Sequence, residues 1–182
     1  MKRYTKLHSQ TEFLPEGSRR ILIIGSGGAG KSTLARRLGE KTGLPVHHMD
    51  KFFWLPGWVE PDQAEFTDRL MLVTKSAAWI IDGNYNSTLP LRLPYAQAII
   101  YMDFPRTVCL FNVIKRWIIN HGSTRPDMAP GCNEKIDLEF LKWIWTFRKT
   151  YHQHYVNILN KAGKPVLHFT NHQQVKAFLS SL

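Results

Sequence analysis

Gly25-Ser26-Gly27-Gly28-Ala29-Gly30-Lys31-Ser32 is the stretch that decides the fold. It satisfies the pattern G-x-x-x-x-G-K-[ST] in full. Glycines at this spacing let consecutive backbone N–H groups converge on phosphate oxygens, in conformations that a Cβ disfavours. The continuous apolar run Ile21-Leu22-Ile23-Ile24 just before it reads as a strand buried on both faces. A helix is expected from Lys31, with Leu34, Ala35 and Leu38 inward and Gly43 and Pro45 stopping it. That helix would aim the positive end of its dipole at a bound anion. Strand, loop and helix together read as a P-loop. Gly25, Ser26, Gly27, Gly28, Ala29, Gly30, Lys31, Ser32 and Thr33 are therefore expected to hold a nucleotide. Lys31 would reach the β- and γ-phosphates, and the Ser32 hydroxyl would ligate Mg²⁺.

Outward from this loop, strands and helices alternate. Val46-His47-His48-Met49-Asp50 reads as a short strand, and Pro61 opens a helix through about Ser76 carrying Phe66, Leu70 and Val73. Trp79–Asp82 and Ala98–Asp103 read as two more buried strands, each ending on an aspartate. A helix follows over Arg106–Ile119, then a polar Gly/Pro-rich segment over about 120–135, which is expected to form a lid. Phe140, Ile144, Phe147, Tyr151 and Ile158 recur at helical spacing, and their stripe reads as core. Lys164–Phe169 reads as a fifth strand and Gln173–Leu179 as a closing helix. Residues 1–19 read as a basic tail or edge element, and 20–182 as a single domain. Such alternation specifies a parallel sheet covered by helices, with its site at the carboxyl ends of the strands.

The chain has 182 residues and a formal net charge of +10. Residues 1–20 hold five basic groups and two acids, residues 21–103 eight of each, and residues 104–182 eleven against four. A basic excess suggests a nucleic-acid or phosphate partner, and here most of it falls in the half that contains the lid. Cys109 and Cys132 cannot build a disulfide framework, and nothing approaches the roughly 18 apolar residues of a membrane span. The expected location is cytoplasmic. Cys109 reads as packing and Cys132 as an exposed lid residue. His47-His48 and His152-x-His154 lack partners at metal-ligand spacing.

No Asn/Thr-Lys-x-Asp segment is present to read guanine, which leaves ATP as the expected nucleotide. The combination of GSGGAGKSTLARRL, HMDKFFWLPGWVE, WIIDGNY, MDFPR and TRPDMAPGCNEKIDLEFLKWIW resembles the adenylate kinase-related proteins called DNA topology modulation (FlaR-type) proteins. The resemblance covers about residues 20–180. It implies a three-layer P-loop NTPase of nucleoside monophosphate kinase-like type, with a parallel five-stranded sheet in the order 2-3-1-4-5 and a short lid. Asp82 then resembles the Walker-B aspartate, holding Mg²⁺ through a water. Asp82-Gly83-Asn84-Tyr85 resembles the acceptor segment Asp-Gly-Phe-Pro-Arg of adenylate kinases, but without its arginine, and Arg92 is the available substitute. Asn112 stands where those enzymes place an arginine against adenine.

Asp50 matches the acidic position that shikimate- and gluconate-kinase-like proteins place beside the acceptor hydroxyl, where it would orient or deprotonate it. Trp54, with Phe52 and Trp58, is expected to stack on an acceptor ring or to pack its own loop. Arg116 and Arg125 resemble lid arginines that grip a migrating phosphoryl group. Arg148 would point back toward the phosphates or lie on a solvated helix face, and Asp103 would support the P-loop or serve a structural role. The implied function is transfer of the ATP γ-phosphate to a nucleotide or small hydroxylated acceptor. The alternative is an ATP-binding, DNA-associated protein that uses the nucleotide as a switch.

Overall fold

The computed structural model describes residues 6–182. Five strands form one parallel sheet: β1 (Arg20–Gly25), β2 (Val46–His48), β3 (Trp79–Asp82), β4 (Ala98–Met102) and β5 (Val166–Phe169). Their order is β2-β3-β1-β4-β5, as expected. Seven helices join them: α1 (Lys31–Thr42), α2 (Met49–Phe53), α3 (Gln63–Thr74), α4 (Leu89–Arg92), α5 (Arg106–Asn120), α6 (Leu138–Ala162) and α7 (His172–Ser180). Chain order reverses direction across β1, whose neighbours are β3 on one side and β4 on the other. The crevice at the carboxyl end of β1 is therefore the topological switch point, and the P-loop opens into it.

The central strands are apolar on both faces because both are covered. Ile21, Ile23, Ile80, Ile100 and Leu167 pack on Leu34, Ala35 and Leu38 of α1, Cys109 and Val113 of α5, and Phe178 and Leu179 of α7. Leu22, Ile24, Ile81, Ile99, Tyr101 and Val166 pack on Phe66 and Leu70 of α3, Leu89 of α4, and Phe147, Tyr155 and Leu159 of α6. The aromatic stripe of α6 is thus largely core.

Several boundaries differ from the expectation. Strand β2 stops at His48, and Asp50 lies in the short helix α2 rather than at a strand end. Helix α3 begins at Gln63, not at Pro61, because the Asp62 carboxylate accepts the N–H groups of Ala64 and Glu65 and caps the helix there. The 1–19 segment lies outside the described residues up to residue 5. Beyond that it forms an edge contact: Thr11 N–H donates to the Val166 carbonyl at 2.9 Å, and Val166 N–H donates to Ser9 at 2.8 Å. Among the described residues no helix is long and apolar enough to cross a membrane.

Candidate active site

The loop between β1 and α1 takes its shape from close backbone approaches. Gly28 has φ +77°, and a Cβ there would stand 2.2 Å from the Cys109 carbonyl oxygen. Gly25 has φ +145°, and a Cβ there would stand 2.3 Å from the Met102 carbonyl. Only glycine tolerates both the conformation and the contact. The loop is pinned from outside as well. Gly25 N–H donates to Asn84 Oδ1 at 2.9 Å, and Asn112 Nδ2 donates to the Gly28 carbonyl at 2.9 Å. Asn112 therefore holds the loop instead of standing free as a base contact.

Lys31 starts α1, and its ammonium donates to the Ser26 carbonyl at 2.9 Å. Burial lowers its pKa, while the carboxylates of Asp50 and Asp82 oppose that shift. Strand β3 runs beside β1, with Ile23 level with Asp82. That register brings the Ser32 hydroxyl to 2.7 Å from Asp82 Oδ2. A hydroxyl and a buried carboxylate at the head of a phosphate loop form a hard oxygen donor set of the type Mg²⁺ prefers. The residues present fit that ion. His48 Nδ1 lies 2.6 Å from the other Asp82 oxygen. Burial alone would lower the His48 pKa, but the bond and charge of Asp82, helped by Asp127 and Asp50, raise it. The sequence reading missed this partner, although His48 ↔ Asp82 pairing follows directly from the β2–β3 register.

Two cavities open from this point. One, of about 670 Å³, is lined by Gly28 to Leu34, by Arg36 and Arg37, by Asn112 and Asn120, and by the α7 residues His172, Val175 and Lys176. The other, of about 450 Å³, is lined by Asp50, Trp54, Trp58, Asp82, Gly83, Asn84, Tyr85, Met128, Phe140 and Trp143, among others. Lys31, Ser32, Arg116 and Arg125 line both, so they form the wall between them. Gly25, Ser26 and Gly27 line neither, and a Cβ on Gly27 would meet Phe140 and Trp143.

The 121–137 segment, which overlaps the expected lid at about 120–135, contributes Arg125 to the shared wall. Arg116 Nε pairs with Glu134 Oε1 at 2.8 Å, and Arg125 Nε pairs with Glu134 Oε2 at 2.6 Å. Arg125 Nη1 also pairs with Asp127 at 2.7 Å. One buried carboxylate thus holds two guanidiniums side by side, and burial together with the neighbouring Arg125 lowers the Arg116 pKa. Glu134 was missed in the sequence because its role needs an ion pair across the lid. The lid also packs on the 54–58 segment. The Trp58 indole donates to the Asn133 carbonyl at 3.1 Å, and the Cys132 thiol donates to the Leu55 carbonyl at 3.3 Å. Cys132 is fully buried there with Met128 and Ala129, so the expectation of an exposed thiol is wrong.

Asp50 lies in the smaller cavity and accepts the Tyr85 hydroxyl at 2.8 Å. Burial raises its pKa above the usual carboxylate range, against the opposing pull of Tyr85 and Lys31. Among the described residues the non-glycine positions with positive φ are Trp58 (65°) and Tyr85 (37°), and both line this cavity. Strain of this kind persists where the surroundings over-determine it. Arg92 supplies that constraint at Tyr85. Its guanidinium donates to the carbonyls of Gly83 (3.0 Å), Asn84 and Tyr85 (3.3 Å). With 0% exposure and all three bonds spent on backbone, Arg92 does not face the cavity and cannot grip an acceptor phosphate. The expectation for this residue is corrected: it braces the 83–85 segment from beneath.

For Arg148 and Asp103 the partners support the structural readings. Arg148 pairs with Asp103 Oδ2 at 3.3 Å, away from the P-loop. Asp103 is held instead by His152 (3.2 Å) and His168 (3.5 Å). Burial would raise its pKa, but these partners lower it to about 2.

Neither a protein-family model nor a curated protein sequence matches this chain. Solved structures do match. A shikimate kinase from Bacteroides thetaiotaomicron superposes with a TM-score of 0.56 at 16% identity, over 91% of this chain and 96% of that one. A shikimate kinase from Acinetobacter baumannii in complex with shikimate gives 0.54 at 17% identity, over 91% of each chain. A deoxyadenosine kinase from M. mycoides with bound dATP gives 0.51 at 15% identity, over 89% of this chain and 96% of that one. The chain has the fold of the P-loop kinases.

Proposed function

We propose that the protein is an ATP- and Mg²⁺-dependent phosphotransferase acting on a small hydroxyl-bearing acceptor. The observation that carries this reading is the shared wall: Lys31, Ser32, Arg116 and Arg125 line both cavities, and Asp50 waits on the far side. An in-line transfer needs donor and acceptor on opposite sides of one cluster of positive groups. The loop-side cavity takes the nucleotide, with the backbone of Gly28 to Thr33 around its phosphates. Ser32 directly, and Asp82 through a water, would hold Mg²⁺, which supplies charge neutralisation across the transferred group. Arg116 and Arg125 match the charge spread over the phosphoryl oxygens. Asp50 accepts the hydrogen bond of the acceptor hydroxyl and takes its proton. The P-loop kinase neighbours and the resemblance to adenylate kinase-related topology modulation proteins support the same donor.

The test is ATP binding by titration calorimetry, followed by ATP-to-ADP conversion with small acceptors. Lys31→Ala is expected to lower ATP affinity at least tenfold and to abolish turnover. Unchanged affinity and turnover in that variant would refute the reading.

A further inference from the structure

The acceptor cavity carries a second message in its lining. Its walls are aromatic and apolar: Trp54 and Trp58 from one loop, Phe140 and Trp143 from α6, with Tyr85 and Met128. Phe140 and Trp143 are stacked, with centroids 5.7 Å apart and planes 14° apart, and Trp54 and Trp58 meet edge to face at 5.3 Å. At about 450 Å³ the space lies within the range of small-molecule sites.

The cations of this cavity are already committed, His48 to the Asp82 carboxylate at 2.6 Å. Lys31, Arg116 and Arg125 belong to the wall shared with the loop-side cavity, and Glu134 holds both arginines. Arg92 is sealed beneath Gly83 by its carbonyl bonds. Lys135 sits at the exposed rim, with Nζ 4.9 Å from the centroid of the Trp58 ring. The acceptor end otherwise presents the Asp50 and Asp137 carboxylates. A phosphate or carboxylate on the acceptor would meet aromatic rings and like charge, with the guanidiniums of Arg116 and Arg125 already held by Glu134. A flat, neutral ring meets stacking surfaces, with Asp137, Lys135 and Asn84 available for polar atoms on its edge.

We propose that the acceptor is a nucleoside, an uncharged molecule that offers a flat ring to the aromatic walls and a free hydroxyl to Asp50. This rests on the kinase reading above and narrows it. In the transfer, the hydroxyl oxygen bonds to the γ-phosphorus as the bond from that phosphorus to the β,γ-bridging oxygen breaks. Its electron pair stays on ADP, and the hydroxyl proton passes to Asp50. The products are ADP and the nucleoside monophosphate.

The test uses the full chain with ATP and Mg²⁺ and three sets of probes: ribo- and deoxyribonucleosides, their 5′-monophosphates, and shikimate as a non-aromatic acid. ADP formation is followed, products are identified by mass, and ATP binding is measured separately. At least one nucleoside is expected to raise ADP formation tenfold or more over the acceptor-free rate, with no such rise from the other sets. Trp54→Ala should lower kcat/KM for that nucleoside about tenfold at unchanged ATP affinity, and Trp54→Phe should restore most of it. Preference for a monophosphate or for shikimate overturns the nucleoside assignment while leaving a kinase. ATP that binds normally without any stimulation by nucleosides overturns it as well. Failure of ATP to bind removes the underlying kinase reading instead.

Discussion

Asp50 is the residue on which the proposed transfer turns. Its carboxylate is half-buried, bonded to Tyr85 and close enough to Lys31 for their charges to couple. As a base it works only when ionised, and burial pushes its pKa up. Transfer should therefore increase as pH rises through a value above the ordinary carboxylate pKa of about 4. Asp50→Asn is expected to leave ATP affinity within about twofold, to lower kcat at least a hundredfold and to flatten that acid limb. A pH–rate profile of both proteins checks it; lost ATP binding in the variant would contradict the assignment. Arg92 makes a different prediction at the same scale. Replacing it with Leu strands three backbone carbonyls and releases the strained Tyr85 segment. A loss of about 3 kcal/mol is expected, read as a lower midpoint in urea.

The 121–137 segment, the expected lid, is held as an element by Glu134. This carboxylate is 6% exposed and bridges α5, through Arg116, to Arg125 in the lid. Removing it leaves two adjacent guanidiniums with Asp127 as the remaining counter-charge. Breaking a buried ion pair costs about 3 kcal/mol, because the surviving charge is uncompensated. Glu134→Ala should thus destabilise by about that amount and make the 121–137 segment more sensitive to protease, which urea melts and limited proteolysis will show. Retained resistance at unchanged stability would mean that the Trp58–Asn133 and Cys132–Leu55 contacts suffice to hold the lid. The sheet element is simpler. Position β3 beside β1, and Ser32 must meet Asp82; the site's metal-fitting pair is a consequence of strand order.

At the scale of the whole molecule, pH acts through Asp103. Its folded pKa is about 2, below the unfolded value near 3.9. Its stabilisation is fully present above the unfolded value and is lost as pH falls through the folded one. The expected loss is about 2 kcal/mol between roughly pH 4 and 2. Urea denaturation across that window should show the decline in the wild type and a shallower slope in Asp103→Asn. The basic half of the chain also acquires a distribution. Arg116 and Arg125 serve the shared wall, whereas Arg106, Arg148 and Lys149 line a separate groove at the start of α5, where Arg106 stacks on Trp145.

The P-loop, the strand sequence and the helical stripes were legible in the sequence because they are local: spacing, periodicity and caps act within a few residues. The strand order was legible only through resemblance, and the fold bears it out. What the chain alone determined is a phosphate loop at the head of a parallel sheet, with Asp50, Trp54, Asn84 and Tyr85 near the same crevice. Only the tertiary structure decided that Arg92 faces inward, that Cys132 is buried, that His48 holds Asp82 and that Glu134 joins the two arginines. The physical reason is common to all four. A polar or charged side chain finds its partner by distance in space and by burial, and neither quantity is encoded in the spacing of residues along the chain.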